Sequence, residues 1–199
     1  MSTYRGPRVR ISRRLGFLPG LTQKISKRIG LPGKSGIVKI KKSQYGIRLN
    51  EKQKLRYHYG LTEKTLVKYM KTARQSKFST GLTLLKLLEM RLDNILYRFG
   101  FIKTISFARQ LINHGHVLVN NKIINIPSYE CQINDEISFK TKSLKIINKL
   151  LEKKKNNIPP SFLTFDNKSL TGKICNPIQR TEIGIQINEL LIIEYYSRN

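Results

Sequence analysis

Three histidines, two cysteines and twelve carboxylates are the residues of this 199-residue chain that carry proton-transfer, nucleophilic or metal chemistry. They do not assemble into a constellation. His114 and His116 form an H-x-H at the end of a predicted helix, with no carboxylate or thiolate at ligand spacing, and they read as surface side chains and not as metal ligands. Cys131 and Cys175 lie 44 positions apart without a C-x-x-C, which suits free buried thiols in a reducing compartment and not a zinc knuckle. Asp93, Asp135 and Glu136 stand beside basic residues and read as helix or turn salt bridges. There is no P-loop, dinucleotide fingerprint, G-x-S-x-G or H-E-x-x-H. Neither catalysis, a metal, a cofactor nor a small-molecule substrate is expected.

The chemistry the chain does carry is cationic. It has 38 Lys and Arg against 12 Asp and Glu, a net charge of +26. Residues 1–50 hold 13 of the bases and no acid, and the first carboxylate is Glu51. Such an excess opposes compaction unless a polyanion neutralises it. No stretch approaches the ~20 apolar residues of a membrane span, and Pro7, Pro19, Gly20, Pro32 and Gly33 interrupt the basic head as an interfacial helix. Nucleic acid is the expected partner and a membrane is not. The opening Met-Ser-Thr-Tyr-Arg-Gly-Pro has no apolar h-region, so the head reads as a mature arm and not a targeting segment.

Two short segments show the pattern that RNA recognition requires. Arg91, Asn94 and Arg98 share one helical face, opposite Leu92, Ile95, Leu96 and Phe99. Ser106, Arg109, Gln110 and Asn113 share another, opposite Ile105, Ala108, Leu111 and Ile112. Arg neutralises phosphate, while Asn, Gln and His bond base edges and 2′-hydroxyls. These outer faces are expected to be solvated, so that Arg98 or Arg109 could be truncated with little change in stability. The candidate RNA-binding set adds Thr104, His114 and His116 beside them. It also takes in Arg5, Arg8, Arg10, Arg13 and Arg14 in the head, and Arg48, Lys52, Lys54 and Arg56 after it.

The elements that must position these residues are legible as an α+β pattern. Residues 1–43 form a basic N-terminal arm with little periodic apolar content, whose removal should leave the rest folded. Residues 44–90 form a small helical domain, with helix starting near Leu49. Thr62 caps a second helix, Leu61 and Leu66 staple it, and Leu66, Tyr69, Met70 and Ala73 line its inner face. Ser79-Thr80-Gly81 breaks the pattern before a Leu-rich stretch to Met90. Residues 91–155 form the RNA-binding module: two helices ended by Gly100 and Gly115, the second capped by Thr104, then an antiparallel hairpin turning at Asn120-Asn121. Pro127 closes the hairpin, Glu136–Phe139 is a further strand, and a Lys-rich helix over 141–157 turns Leu144, Ile147 and Leu151 inward. Residues 156–199 return to the body and end in a strand over 189–196.

The run RLDNILYRFGF, then TISFARQLINHGHVLVNNKIINIPSY, resembles the RNA-binding module named after small ribosomal subunit protein S-four. The flanks YRGPRVRISRRLG, SQYGIRLNEKQKLRYHYGLTEKTLVKYMK, STGLTLLKLLEMRLDNILYR and INELLIIEYYSR resemble the full-length members of that ribosomal family, in its plastid-encoded form. The resemblance implies a helical domain with the module inserted before a C-terminal closing strand. It also implies direct binding to small-subunit rRNA and nucleation of its five-prime domain, next to other small-subunit proteins. Lys39, Lys41 and Lys42 would then help line the mRNA entry path. A zinc site in the arm, present in some members, has no ligands here, since no cysteine precedes Cys131. Asn121 stands where the hairpin turn usually has Gly, Phe107 near where the second module helix usually has an acid, and Val38 where a base is common. Abundant Lys, Ile and Asn (24, 25 and 14 residues) hint at an AT-rich genome and a plastid stroma, with a bacterial cytoplasm or another organelle as the alternative. A pseudouridine synthase or a stand-alone RNA chaperone would use the same module. The first needs a separate catalytic domain, and the second lacks the N-terminal flank.

Overall fold

The computed structural model describes residues 4–28, 30–33, 43–152, 159–167 and 169–197, in two compact units, 1–85 with 184–199 and 86–183. The arm residues Lys39, Lys41, Lys42 and Val38 lie outside the described residues.

In the first unit, Pro7 precedes helix α1 (Arg8–Leu15) and Gly16, at φ 98°, closes it. The head is less extended than its composition suggests. Leu15, Leu18 and Leu21 recur every third residue and all three are buried, so removing 1–43 would strip a piece of core. The expectation that the arm has little periodic apolar content, so that the rest folds without it, is corrected by these three leucines. Helix α2 (Gln44–His58) starts five residues before Leu49, because the Ser43 hydroxyl accepts the Gly46 N–H at 3.2 Å and caps it. Helix α3 (Glu63–Arg74) begins where expected: Thr62 accepts the Thr65 N–H, and Leu66, Met70 and Ala73 are buried. Helix α4 (Thr80–Glu89) takes in Thr80 and Gly81, which read as a break in the sequence.

The C-terminal strand expected over 189–196 is a helix, α8 (Glu189–Ser197). Asn188 accepts the Leu190 N–H at 3.1 Å, and Glu189 lies in the first turn, both helix-start signals. Only Ile192 and Ile193 are β-branched in this run, and Glu, Leu and Tyr at i, i+3, i+4 spacing give it a face toward α2. Gly81 permits the close approach of α4 and α8: a Cβ there would lie 2.8 Å from Cβ of Glu189.

In the second unit, α5 (Leu92–Arg98) ends at Gly100 (φ 86°), and α6 (Ile105–Asn113) starts at Thr104 and ends before Gly115 (φ 68°). Strands β1 (Val117–Val119) and β2 (Lys122–Ile123) meet through Asn120 and Asn121, both at positive φ, 48° and 64°, as a two-residue hairpin turn requires. Strand β3 (Glu136–Phe139) pairs antiparallel with β1, with Leu118 opposite Ser138. Two further strands, β4 (Leu163–Asp166) and β5 (Thr171–Ile174), complete a five-stranded antiparallel sheet in the order β2-β1-β3-β5-β4. Neither was legible in the sequence: each spans four residues and Gly172 dilutes the second. A short 3-10 turn (Thr141–Ser143) leads into helix α7 (Leu144–Glu152), which buries Ile147, while Leu144 and Leu151 are half-buried. Residues 153–157 of the expected helix lie outside the described residues.

Under the sheet, Phe99, Phe101, Phe139 and Phe165 form one aromatic cluster, with Phe99 and Phe165 centroids 5.0 Å apart. The Phe99 ring lies flush against Gly172: a Cβ there would be 2.3 Å from Cζ. Gly172→Ala should therefore lower the unfolding free energy by about 1–3 kcal/mol through overpacking. Chemical denaturation measures this, and an unchanged midpoint would contradict the packing.

Candidate nucleic-acid interface

Two buried acids dominate the module helices. Glu89, the last residue of α4, is 0 % exposed, and Asp93, in the first turn of α5, is 1 % exposed. A buried carboxylate is costly unless paired and hydrogen-bonded, and both are. Arg98 donates to Glu89 through Nε (3.0 Å) and a terminal nitrogen (2.7 Å), a two-pronged pair. Asn94 Nδ2 adds bonds to Glu89 Oε2 at 2.6 Å and to its carbonyl at 3.1 Å. Arg91 grips Asp93 the same way, at 3.0 and 2.9 Å, and Arg109 reaches from α6 to Asp93 Oδ2 at 2.7 Å.

This corrects the solvated-face expectation for α5. Arg91 and Asn94 are buried and Arg98 is mostly so. The face opposite Leu96 is a second, polar interior, built because Glu89 and Asp93 fold in beneath it. The helix wheel separates faces but does not say which of them meets solvent. Truncating Arg98 would leave Glu89 without its guanidinium, so its effect on stability is not small.

The outer face of α6 divides. Arg109 is held by Asp93, the Thr104 hydroxyl is spent accepting the Phe107 N–H, and Ser106 is half-buried. Gln110, Asn113 and His114 are exposed. His116 Nδ1 shares a 2.7 Å hydrogen bond with the hydroxyl of buried Ser143, and its ring lies 5.9 Å from that of His114. At the hairpin tip Asn120 donates to Asp135 at 2.8 Å, and Asp135 also accepts the Gln132 N–H at 2.7 Å. Asp135 thus braces a turn through neutral donors and not through the salt bridge expected; Glu136 does face Lys173, at 4.0 Å.

In the first unit the candidate bases after the arm are also engaged. Arg48 pairs with Glu194 at 2.5 Å, Lys54 with Glu51 at 2.5 Å, and Lys52 and Arg56 with Glu63 at 3.0 and 3.7 Å. Lys52 is 4 % exposed, with its ammonium 4.6 Å from the Tyr195 ring centre. Reading 189–196 as a strand hid these partners, since only a helix brings Glu194 and Tyr195 to α2. Burial would raise the Glu63 carboxyl, but hydrogen bonds from Tyr196 (2.7 Å) and Lys52 and the nearby cations outweigh it and leave it below the ordinary value. In the head, Arg5, Arg10 and Arg14 are exposed and Arg8 and Arg13 half-buried, and Arg13 bonds the Gly30 carbonyl at 3.0 Å.

Cys131 is buried, and burial first, then Asp135, Asp93 and Glu130, pushes its thiol well up, so it is no nucleophile at neutral pH. Cys175 is exposed, because the end of β5 turns it outward, and this corrects the buried-thiol reading. No group of three or more metal-ligating side chains occurs among the described residues. No helix among them is long and apolar enough to cross a membrane. The arrangement offers exposed cations, amides and imidazoles on a rigid frame, which suits binding a folded polyanion.

The chain resembles known proteins over its whole length. The family pattern described as "Ribosomal protein S4/S9 N-terminal domain" matches residues 3–89, and that described as "S4 domain" matches residues 90–137. "Small ribosomal subunit protein uS4c" of Tupiella akineta is 52% identical over 205 residues, covering 100% of both chains. "Small ribosomal subunit protein uS4" of Crocosphaera subtropica is 52% identical over 200 residues, covering 100% of this chain and 99% of its own. The Emiliania huxleyi "uS4c" protein is 50% identical with the same coverage.

The cluster yields a paired test. Asp93→Ala removes the buried carboxylate that Arg91 and Arg109 share and should cost about 3–5 kcal/mol of stability. Gln110→Ala and Asn113→Ala, on the exposed part of α6, should stay within about 0.5 kcal/mol. Urea unfolding of the three variants decides; an Asp93→Ala protein as stable as wild type would mean the arginines are solvated after all.

Proposed function

The chain belongs to the small ribosomal subunit protein uS4 family, and on that premise we propose that it is a structural, non-catalytic component of the small ribosomal subunit that binds its rRNA directly. The observation that carries the reading is the sorting of charge. In a chain of net charge +26, Glu89 and Asp93 hold the arginines of α5 and α6 and Glu63 and Glu194 hold bases of α2, while exposed cations and the amides of α6 remain for a polyanion. Gln110, Asn113, His114 and His116 form the contact set of the module, bonding 2′-hydroxyls and base edges of a folded junction. Arg91, Asn94, Arg98 and Arg109 hold that surface in shape from behind. Arg5, Arg10 and Arg14 supply phosphate contacts in the arm. Binding holds the five-prime domain of the rRNA compact and nucleates its assembly beside neighbouring small-subunit proteins, while Lys39, Lys41 and Lys42 border the mRNA entry path.

The ribosome is a plastid one in this reading, supported by the Lys, Ile and Asn bias of the sequence. An RNA-modifying enzyme or a free RNA chaperone is not favoured, because the likeness extends over residues 3–89 as well as the module.

Binding to a transcript of the five-prime domain of small-subunit rRNA should weaken steeply with salt. At about 0.7–0.9 per neutralised phosphate, the slope of log affinity on log salt concentration should be about −3 or steeper. Filter binding across a salt series measures it. A shallower slope, or equal affinity for an unrelated structured RNA, would overturn the proposal.

A further inference from the structure

We propose that Lys142, Lys145 and Lys149 form a phosphate track that extends the rRNA footprint from α6 along α7, an inference that rests on the function proposed above. All three side chains are exposed, one in the 3-10 turn and two in the helix. Their spacing of three and four residues sets them in a row on one side, while Ile147 faces the interior at 0 % exposure. Lys145 and Lys149 are about 6 Å apart along the axis at a rise of about 1.5 Å per residue, a step comparable with that between successive phosphates of one RNA strand.

The row is poor in counter-charge: its one acid is Glu152, three residues beyond Lys149, and no ion pair joins the two among the described residues. Among the described residues none of the three lysines forms an ion pair. Like charges at i, i+4 repel, so this face is not arranged for the stability of the helix alone. Among the described residues Glu89, Asp93 and Glu136 are directed at other cations.

The position of the row argues for RNA as its occupant. Ser143 bonds His116 at 2.7 Å, and the Lys140 N–H donates to the His116 carbonyl at 3.1 Å. The start of α7 is therefore pinned beside the residue that follows the exposed amides and His114 at the end of α6. Lys142 begins the row next to Ser143, at that contact, and in this proposal the lysines extend the RNA surface with charge and no base-reading groups. They would add affinity and salt dependence without adding sequence preference.

The test uses the full chain and the transcript of the five-prime domain. Replacing the three lysines by Gln (Lys142→Gln, Lys145→Gln, Lys149→Gln) removes charge from exposed positions and should leave the melting temperature unchanged. The salt slope should become less steep by about 2 to 3, at about 0.7–0.9 per lost contact. Hydroxyl-radical protection should disappear from one stretch of backbone and persist elsewhere. The corresponding triple Lys→Arg protein should keep both slope and protection. A Gln variant with wild-type slope and footprint overturns the track alone, as does an Arg variant that loses as much as the Gln variant. A wild-type protein that does not prefer this RNA overturns the proposed function and the track with it.

Discussion

The module is organised around an electrostatic obligation: two carboxylates, Glu89 and Asp93, lie out of water and must be neutralised where they stand. Arg98 and Asn94 meet the first, Arg91 and Arg109 the second. Because Arg109 comes from α6 and its partner from α5, the pairing fixes the two helices against each other on their polar side, while Ile95, Leu96, Ala108 and Ile112 are buried on the apolar side. Breaking such a pair leaves a buried, uncompensated charge, a cost larger than the pair itself contributes. Rigidity of the surface carried by α6 follows from that constraint.

The same logic governs the first unit with different residues. Glu51, Glu63 and Glu194 each hold a base of α2, and α8 supplies the last of them. Tyr196 donates to Glu63 and the Tyr195 ring lies against Lys52, so the C-terminal helix closes over α2 through polar contacts as well as apolar ones. In a chain so poor in acid, the placement of each carboxylate decides which cations become scaffold and which remain for a polyanion.

Much of the frame was legible because its signals are local. Thr62 and Thr104 cap the helices they precede, Gly100 and Gly115 end theirs, and Asn120-Asn121 turns the hairpin. What escaped depends on distant partners. Strands β4 and β5 exist because β3 offers an edge, and the helicity of 189–197 is reinforced by α2. The candidate site was misread for a related reason: helical spacing put Arg91, Asn94 and Arg98 opposite Leu96, but that is also where two acids buried themselves. The spacing of Glu89 ahead of Arg98, and of Asp93 between Arg91 and Arg109, was the available signal, and it carries meaning only once α4, α5 and α6 are packed.

The Glu89–Arg98 pair is a structural bond and not a solvated contact. A double-mutant cycle with Glu89→Gln, Arg98→Met and the double variant, each followed by urea unfolding, measures that bond without reference to RNA. The coupling expected is about 2–3 kcal/mol, at the upper end for residues in one buried network. A coupling below about 0.5 kcal/mol would contradict such a bond and return Arg98 to the exposed face.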